Sequence, residues 1–170
     1  MKPLAGHGQP LLYLDYDGVL HHEDVWRHPR YGVYFGPLGE GHEFFEHAER
    51  LVSVLAPFPS VQVVLSTSWV RMLGYDRARN ELPQELRARV VGATHHSTMP
   101  PDAFESMSRG EQVLGDVRRR HPSAWVALDD NGEGPEAYRN HLVLTDPAKG
   151  LLGVGVIEEL EGHLVRITQP

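Results

Sequence analysis

Short runs of aliphatic residues alternate along the chain with longer segments in which apolar residues recur at helical spacing. Aliphatic runs without polar alternation are typical of strands covered on both faces. Such runs occur at residues 11–14, 61–65, 89–91, 125–128 and 141–144. Strands that alternate with helices favour a parallel sheet, because right-handed crossovers place the helices on its faces. We therefore predict an α/β fold, doubly wound, with a mostly parallel sheet.

The helical segments are defined by apolar spacing and by end signals. Residues 44–55 carry one apolar stripe and are followed by a proline, which predicts an amphipathic helix. Ser108 and Glu111 form a capping-box pattern, which predicts a helix from near residue 109 to before residue 122. A last helix is predicted over residues 154–164.

Two segments depart from this alternation within what we expect to be a single domain over residues 1–170. Residues 21–39 are rich in His, Gly, Pro and aromatic residues, and residues 31–35 fit one strand of a small hairpin. This segment is a candidate flap or lid, and residues 70–107 are a candidate small insert. Neither is long enough for a full cap domain, so we expect an open site.

Composition and charge exclude some functions. The chain has no cysteine, which removes thiolate catalysis and cysteine-bound zinc. Its formal net charge of −7 predicts a surface that repels nucleic acid except at local contacts. No apolar run is long enough to span a membrane, and we expect a cytoplasmic protein without a membrane partner.

The most informative segment is the sequence LLYLDYDGVL at residues 11–20, in which an apolar run ends in Asp15, Asp17 and Gly18. Open α/β sheets place their active sites at the carboxyl ends of parallel strands. Two carboxylates there can divide nucleophilic and acid/base work and can help to hold a divalent metal. The alternative, a turn that merely caps a strand, is the less favoured reading of this pattern.

Further polar residues follow the other predicted elements and belong at the same sheet edge. They are Ser66, Thr67 and Ser68 after one strand, Arg109 at a helix start, and Asp129 and Asp130 after another strand. Carboxylates at positions 15, 17 and 129/130 would form an oxygen-rich Mg²⁺ site, and a hydroxyl and a guanidinium would hold phosphate oxygens. This combination fits phosphoryl transfer.

These residues resemble the haloacid dehalogenase-like (HAD) phosphohydrolases. DYDGVL is similar to their first motif, LSTSW to the second, Arg109 to the basic residue of the third, and LDD to the fourth, over about residues 11–145. LSTSW and TDPAKGL, at residues 145–151, further resemble the HAD domain of Swiss Army Knife RNA-repair proteins.

The resemblance implies a role for each matching residue. Asp15 would attack phosphorus to form an aspartyl-phosphate, and Asp17 would protonate the leaving oxygen and then activate water. Ser66 would bind a phosphate oxygen and Arg109 would stabilise negative charge. Asp129 and Asp130 would complete the metal site, and the backbone carbonyl of Asp17 would be a further ligand. The predicted substrate contacts are Thr67, Gly18 and Lys149.

Alternatives remain at several positions. Ser66 to Ser68 fit a helix start, and Asp129 to Gly132 fit an ordinary turn. Lys149 competes with Arg109 as the basic residue. Trp26 and Trp69 are candidates for stacking on a base, although core packing is the favoured role of Trp69.

The expected function is phosphomonoester hydrolysis through the aspartyl-phosphate, and an open site favours a large substrate such as a nucleic-acid end. A nucleotide or a small metabolite phosphomonoester is the second possibility. A non-catalytic module that binds phosphate or nucleic-acid ends, and phosphotransfer to an acceptor other than water, are the others.

Overall fold

A parallel sheet forms the centre of the molecule in the computed structural model, which describes residues 1–170. The strands are β1 (Pro10–Leu14), β2 (Val25–His28), β3 (Gly32–Phe35), β4 (Gln62–Leu65), β5 (Val90–Ala93), β6 (Ala124–Asp129) and β7 (Leu142–Leu144). Five of them pair in the order β5-β4-β1-β6-β7, and every pair is parallel. β1 is therefore the central strand, with β4 on one side and β6 on the other.

Eight helices connect or cover these strands. They are α1 (Ala48–Leu55), α2 (Ser68–Leu73), α3 (Tyr75–Asn80), α4 (Gln84–Arg87), α5 (Pro101–Glu105), α6 (Arg109–Arg120), α7 (Glu136–Arg139) and α8 (Val156–Thr168). The capping box that begins α6 is present, with the Ser108 and Glu111 side chains each bonded to the other residue's backbone N–H. No helix is long and apolar enough to cross a membrane.

Alternate residues of each buried strand face the two sides of the sheet. Leu12 and Leu14 of β1 belong to a large apolar core with α1, α2, α3, α4 and α8. Leu11 and Tyr13 belong to a smaller core that includes Val113 of α6. Helices thus cover both faces, which explains the unbroken apolar runs in the sequence. The predicted doubly wound α/β fold without a full cap domain is confirmed.

Two predicted helix ranges were wrong. The helix predicted over residues 44–55 begins only at Ala48, because Phe45 adopts a left-handed backbone conformation with φ of 60°. The last helix covers Val156–Thr168 rather than 154–164, since Gly155 with φ of 76° ends the preceding turn. Asp146 accepts the backbone N–H groups of Ala148 and Lys149 in a tight turn after β7.

β2 and β3 pair as an antiparallel hairpin within the segment 21–39. Val25 and Val33 pack against the large core, and Phe35 stacks on Phe44 with ring centroids 4.2 Å apart. The hairpin therefore has one anchored face. Within the segment 70–107, β5 joins the edge of the main sheet beside β4, and the remaining residues form short helices and turns.

Candidate active site

The carboxylate of Asp15 lies at the carboxyl end of the central strand and is 4% exposed. Its Oδ1 accepts the backbone N–H of Tyr16 at 2.8 Å, and its Oδ2 lies 3.6 Å from Nη2 of Arg109. Burial raises the pKa of Asp15, and the charge of Asp17 adds to this effect, while the guanidinium of Arg109 opposes it. A buried carboxylate facing a guanidinium is suited to act as a nucleophile towards an anionic group.

Asp129 and Asp130 bring two more carboxylates to Asp15. Oxygen atoms of the three residues lie within 4.8 Å of one another. Burial raises the pKa of Asp129 well above its usual value, and the charge of Asp15 adds to this effect. Burial and the charges of Asp15 and Glu23 raise the pKa of Asp130 to about 7. Without a bound metal ion, the three carboxyl groups cannot all ionise at neutral pH at low cost.

Arg109 is the guanidinium of this cluster. It begins α6 and its side chain is only 17% exposed, with Nε 3.1 Å from Oδ2 of Asp129. Burial opposes the charged form, but the carboxylates of Asp15 and Asp129 outweigh burial and raise the pKa of Arg109. The distance from Nε to Asp129 is that of an ion pair, yet neither atom has a hydrogen bond of acceptable geometry. Both atoms therefore have unused hydrogen-bonding capacity.

Asp17 lies beside this cluster but its carboxylate points elsewhere. Its Oδ1 is 2.8 Å from Nε1 of Trp69 and 2.9 Å from Nε2 of His21. The Asp17 carboxylate is not among the three that are close enough to share a cation. Its predicted use as a side-chain metal ligand therefore gains no support from the geometry, and a role for its backbone carbonyl stays a prediction.

Gly18 makes the close approach of the first and fourth motifs feasible. Its φ of 74° lies in the left-handed region, and a Cβ at this position would collide with the carboxylate of Asp130. The hydroxyl of Thr145, which follows β7, donates a hydrogen bond to the Gly18 carbonyl at 2.6 Å. Gly18 thus has a structural reason to be glycine, and its predicted contact with substrate stays a prediction.

The two hydroxyl residues after β4 have different surroundings. Ser66 is 1% exposed and its Oγ has no hydrogen-bond partner. Thr67 caps α2, where its Oγ1 accepts the backbone N–H of Trp69 at 3.3 Å. An unpaired buried hydroxyl is costly unless a ligand completes it, whereas the Thr67 hydroxyl already has a structural partner.

Lys149 lies outside this cluster. Its backbone N–H bonds to Asp146 in the turn after β7, while its side chain is exposed and forms no ion pair. Of the two basic residues proposed from the sequence, Arg109 is the one that the structure places against Asp15.

Two cavities lie near or beside this part of the sheet. A cavity of about 160 Å³ beside Arg109 is lined by Thr67, Thr94 and Asn131, among others. A cavity of about 630 Å³ lies along the edge strand β5 and contains neither Ser66 nor any of the site aspartates. We place the site around Asp15 rather than in this cavity, because the side chains around Asp15 combine buried charges with unpaired polar atoms.

Three contributors were missed or underrated by sequence reasoning. Thr145 donates to Gly18, His21 and Trp69 donate to Asp17, and all three are buried. The Trp69 ring packs in the core as expected, but its indole N–H is also used at the site. No local sequence pattern predicts these hydrogen bonds, because they depend on how the loops meet at the edge of the sheet.

A parallel sheet whose central strand carries paired acids to its tip, with a second acidic pair on the adjacent strand, is the arrangement of haloacid dehalogenase-like domains. Residues 11–153 match the family model described as the HAD domain in Swiss Army Knife RNA repair proteins. The match covers most of the 170 residues, and the chain belongs to this family. No curated protein and no solved structure matches the chain.

Proposed function

We propose that the protein is a Mg²⁺-dependent phosphomonoester hydrolase that acts on phosphorylated nucleic-acid ends through an aspartyl-phosphate on Asp15. The observation that carries the proposal is the buried carboxylate of Asp15, which faces Arg109 while Asp17 is held apart by its own hydrogen bonds. Two aspartates two residues apart therefore have different surroundings. Such a difference allows one to act as nucleophile and the other as acid and base.

The proposed reaction has two steps. The Asp15 carboxylate attacks phosphorus, the bond from phosphorus to the leaving oxygen breaks, and Asp17 gives that oxygen a proton. Asp17 then takes a proton from water, the water oxygen attacks phosphorus, and the bond to Asp15 breaks to release phosphate. Arg109 neutralises charge on the phosphoryl oxygens, and the unpaired hydroxyl of Ser66 donates to one of them.

The residues present fit a magnesium ion. Asp15, Asp129 and Asp130 supply hard carboxylate oxygens, and Oδ2 of Asp129 is buried without a hydrogen bond. Because Gly18 has no side chain, the Asp130 carboxylate can occupy the space that a Cβ at position 18 would fill. When bound, the cation would neutralise phosphate oxygens and lower the pKa values of the three carboxyl groups.

We expect the metal-free protein to lose stability as the pH rises from about 4 to about 7. An Asp in the unfolded chain ionises near pH 4, whereas the pKa of Asp130 in the folded protein is about 7. The folded state therefore holds its proton longer, so the stabilisation from this group is complete below pH 4 and is lost as the pH passes 7. Mg²⁺ at pH 7.5 should restore stability.

Melting temperatures of the wild type and of Asp130→Asn, measured from pH 5 to 8 in EDTA and in Mg²⁺, test this expectation. The comparison with the variant is needed because burial lowers the pKa of His47, which acts in the opposite direction. Each kcal/mol corresponds to about 2–4 °C at this chain length. A pH profile that is the same in both proteins, with no effect of Mg²⁺, would contradict the assignment of Asp130.

The surroundings of Asp15 support a large substrate. None of the four main cavities is lined by Asp15, Asp129 or Asp130. The one that includes Arg109 measures about 160 Å³, whereas pockets that enclose small metabolites measure roughly 300–1,000 Å³. This favours an end of a polymer over a metabolite that must be enclosed.

The hairpin offers a surface for the rest of such a substrate. Trp26 and Tyr34 lie opposite each other in the β2–β3 register and are 57% and 45% exposed. They occupy the face opposite the anchored one, and a hydrogen bond of 2.7 Å from Nε1 of Trp26 to Asp24 holds the indole. Exposed aromatic rings bind unpaired bases by stacking, at about 1–3 kcal/mol per base.

Phosphate release from a substrate panel tests the function and its substrate class. The panel contains an aryl phosphate, nucleoside monophosphates, sugar phosphates, and RNA and DNA oligonucleotides with a 3′- or 5′-phosphate, each with Mg²⁺ and with EDTA. We expect release only with Mg²⁺ and the highest kcat/KM for an oligonucleotide. Trp26→Ala/Tyr34→Ala should raise KM for the oligonucleotide about tenfold and leave that for the aryl phosphate unchanged.

Val165→Ala on α8 is the matched control, because Val165 is 47% exposed and lies far from the hairpin in sequence. Equal activity on sugar phosphates and oligonucleotides, unaffected by the hairpin variant, would favour a small-metabolite phosphatase. Tight binding of phosphorylated oligonucleotides without release would favour a non-catalytic end-binding module.

A further inference from the structure

The carboxylate of Asp17 is held on one side only. Its Oδ1 receives the indole N–H of Trp69 at 2.8 Å and lies 2.9 Å from Nε2 of His21. Its Oδ2 has no hydrogen bond from the protein, and the side chain is 24% exposed. One oxygen thus has two protein partners, and the other has none.

The backbone determines which nitrogen of His21 carries the proton. Nδ1 of His21 lies 3.1 Å from the backbone nitrogen of Phe45, whose N–H donates to it. A nitrogen that accepts a hydrogen bond carries no proton, so the proton of the neutral ring is on Nε2. His21 is therefore a donor to Asp17, as Trp69 is.

Local structure places both donors. Gly18, in a left-handed conformation, lets the chain turn back so that its N–H bonds to the His21 carbonyl at 3.0 Å. Phe45 also has a left-handed backbone conformation, and its N–H is the group that donates to Nδ1 of the His21 ring. The His21 ring is completely buried, with the rings of Phe35, Phe44, Phe45 and Trp69 around it at centroid distances of 4.9–5.8 Å.

We propose that His21 and Trp69 are positioning residues that make Oδ2 of Asp17 the oxygen that exchanges protons during catalysis. Both hydrogen bonds are made to Oδ1, which leaves Oδ2 as the oxygen without a protein partner and therefore free to contact the leaving oxygen. They also fix the rotation of the carboxylate, which keeps it away from the Asp15, Asp129 and Asp130 cluster. This inference rests on the proposed phosphatase function.

In chemical terms, Oδ2 would deliver its proton to the leaving oxygen as the bond from phosphorus to that oxygen breaks. The resulting Asp17 carboxylate would take a proton back from the water that cleaves the aspartyl-phosphate. His21 and Trp69 keep their own protons throughout. They influence the rate by orienting Asp17, because general acid catalysis depends on the geometry of the proton donor.

The test compares leaving groups. Phenyl phosphate needs a proton on its leaving oxygen, whereas 2,4-dinitrophenyl phosphate releases a stable anion and does not. The variants Trp69→Phe, which removes the indole N–H, and His21→Asn, which removes the donor to Asp17 but keeps an acceptor for Phe45, are measured with both substrates. In each variant, we expect the loss of kcat/KM for phenyl phosphate to be at least about tenfold larger than the loss for the dinitrophenyl ester.

Phe44→Leu is the matched control. Its ring packs against both His21 and Trp69, at centroid distances of 5.3 and 5.8 Å, but makes no hydrogen bond to Asp17. We expect this variant to change kcat/KM for the two esters by the same factor. If the wild type is active and both donor variants lose activity on the two esters by the same factor, the positioning role is wrong. The proposed phosphatase function would not be affected by that result.

A wild type that releases no phosphate from either ester would instead remove the proposed function. A measurement on the unaltered protein guards against variants that fail to fold. The ¹⁵N chemical shifts of the His21 ring report its tautomer directly, and we expect a protonated Nε2 and an unprotonated Nδ1. A proton on Nδ1 with none on Nε2 would overturn the inference, because His21 could then not donate to Asp17.

Discussion

Asp15→Asn is expected to lower phosphate release at least about a thousandfold, because the amide cannot form the aspartyl-phosphate. The fold should survive, since the variant removes a buried carboxyl group whose charged form is disfavoured by burial. Its melting temperature in EDTA should equal or exceed that of the wild type. Phosphate release in Mg²⁺, together with the intact mass of acid-quenched protein, measures both the rate and the loss of the phosphorylated species.

Asp76→Asn provides the matched control for this variant. Asp76 is an exposed aspartate of α3 with no ion pair, so its amide should leave the rate unchanged. Retention of the wild-type rate by Asp15→Asn would show that the nucleophile was wrongly assigned and would direct attention to Asp17.

Arg109→Met should lower kcat/KM by about 10²–10³, the usual cost of removing a preorganised group that stabilises transition-state charge. Loss of this guanidinium also leaves Asp15 and Asp129 without their nearby positive charge, so their pKa values should rise further. Arg109→Lys keeps a charge but not the planar guanidinium, and we expect it to retain part of the activity.

Arg118→Met distinguishes a specific role from a general loss of positive charge. Arg118 lies on the same helix as Arg109, is exposed and forms no ion pair, and its removal should leave kcat/KM unchanged. If Arg109→Met stays within twofold of the wild type and Lys149→Met does not, the turn after β7 supplies the basic group instead.

The sequence predicted the central strand and its acidic tip because both signals are local. LLYLDYDGVL combines an apolar run with two acids and a glycine, and the structure places this segment at the middle of the sheet. The meeting of Asp15 with Asp129 and Asp130 was also predictable, since parallel neighbouring strands end at one edge. The five strands of the main sheet were predicted to within a residue or two, because their apolar runs are local signals. The hairpin strand β2 was not predicted.

Features that depend on contacts between loops were not predictable. The apolar stripe over residues 44–55 suggested one helix, yet Phe44 and Phe45 pack against His21 instead of continuing α1. The spacing of apolar residues shows which side chains will be buried, but it does not show which residues they will pack against. The hydrogen bond from Thr145 to Gly18 likewise joins residues from distant parts of the chain.

Asp17 illustrates the same limit at the site itself. Its place in DYDGVL suggested both an acid/base role and a metal role, because the motif alone gives no direction for the side chain. The direction follows from Trp69 and His21, whose hydrogen bonds to Asp17 no local pattern in the sequence predicts. Sequence motifs identify reactive groups more readily than the neighbours that orient them.

The central place of β1 has a consequence for how the chain folds during its synthesis. A chain made only as far as β5 can pair β1 with β4, but the other edge of β1 keeps its backbone N–H and C=O groups unpaired until β6 emerges. An unpaired apolar edge favours association with other chains. The same strand that closes this edge carries Asp129, so β1 gains its second partner and Asp15 gains its neighbouring carboxylate in the same late step.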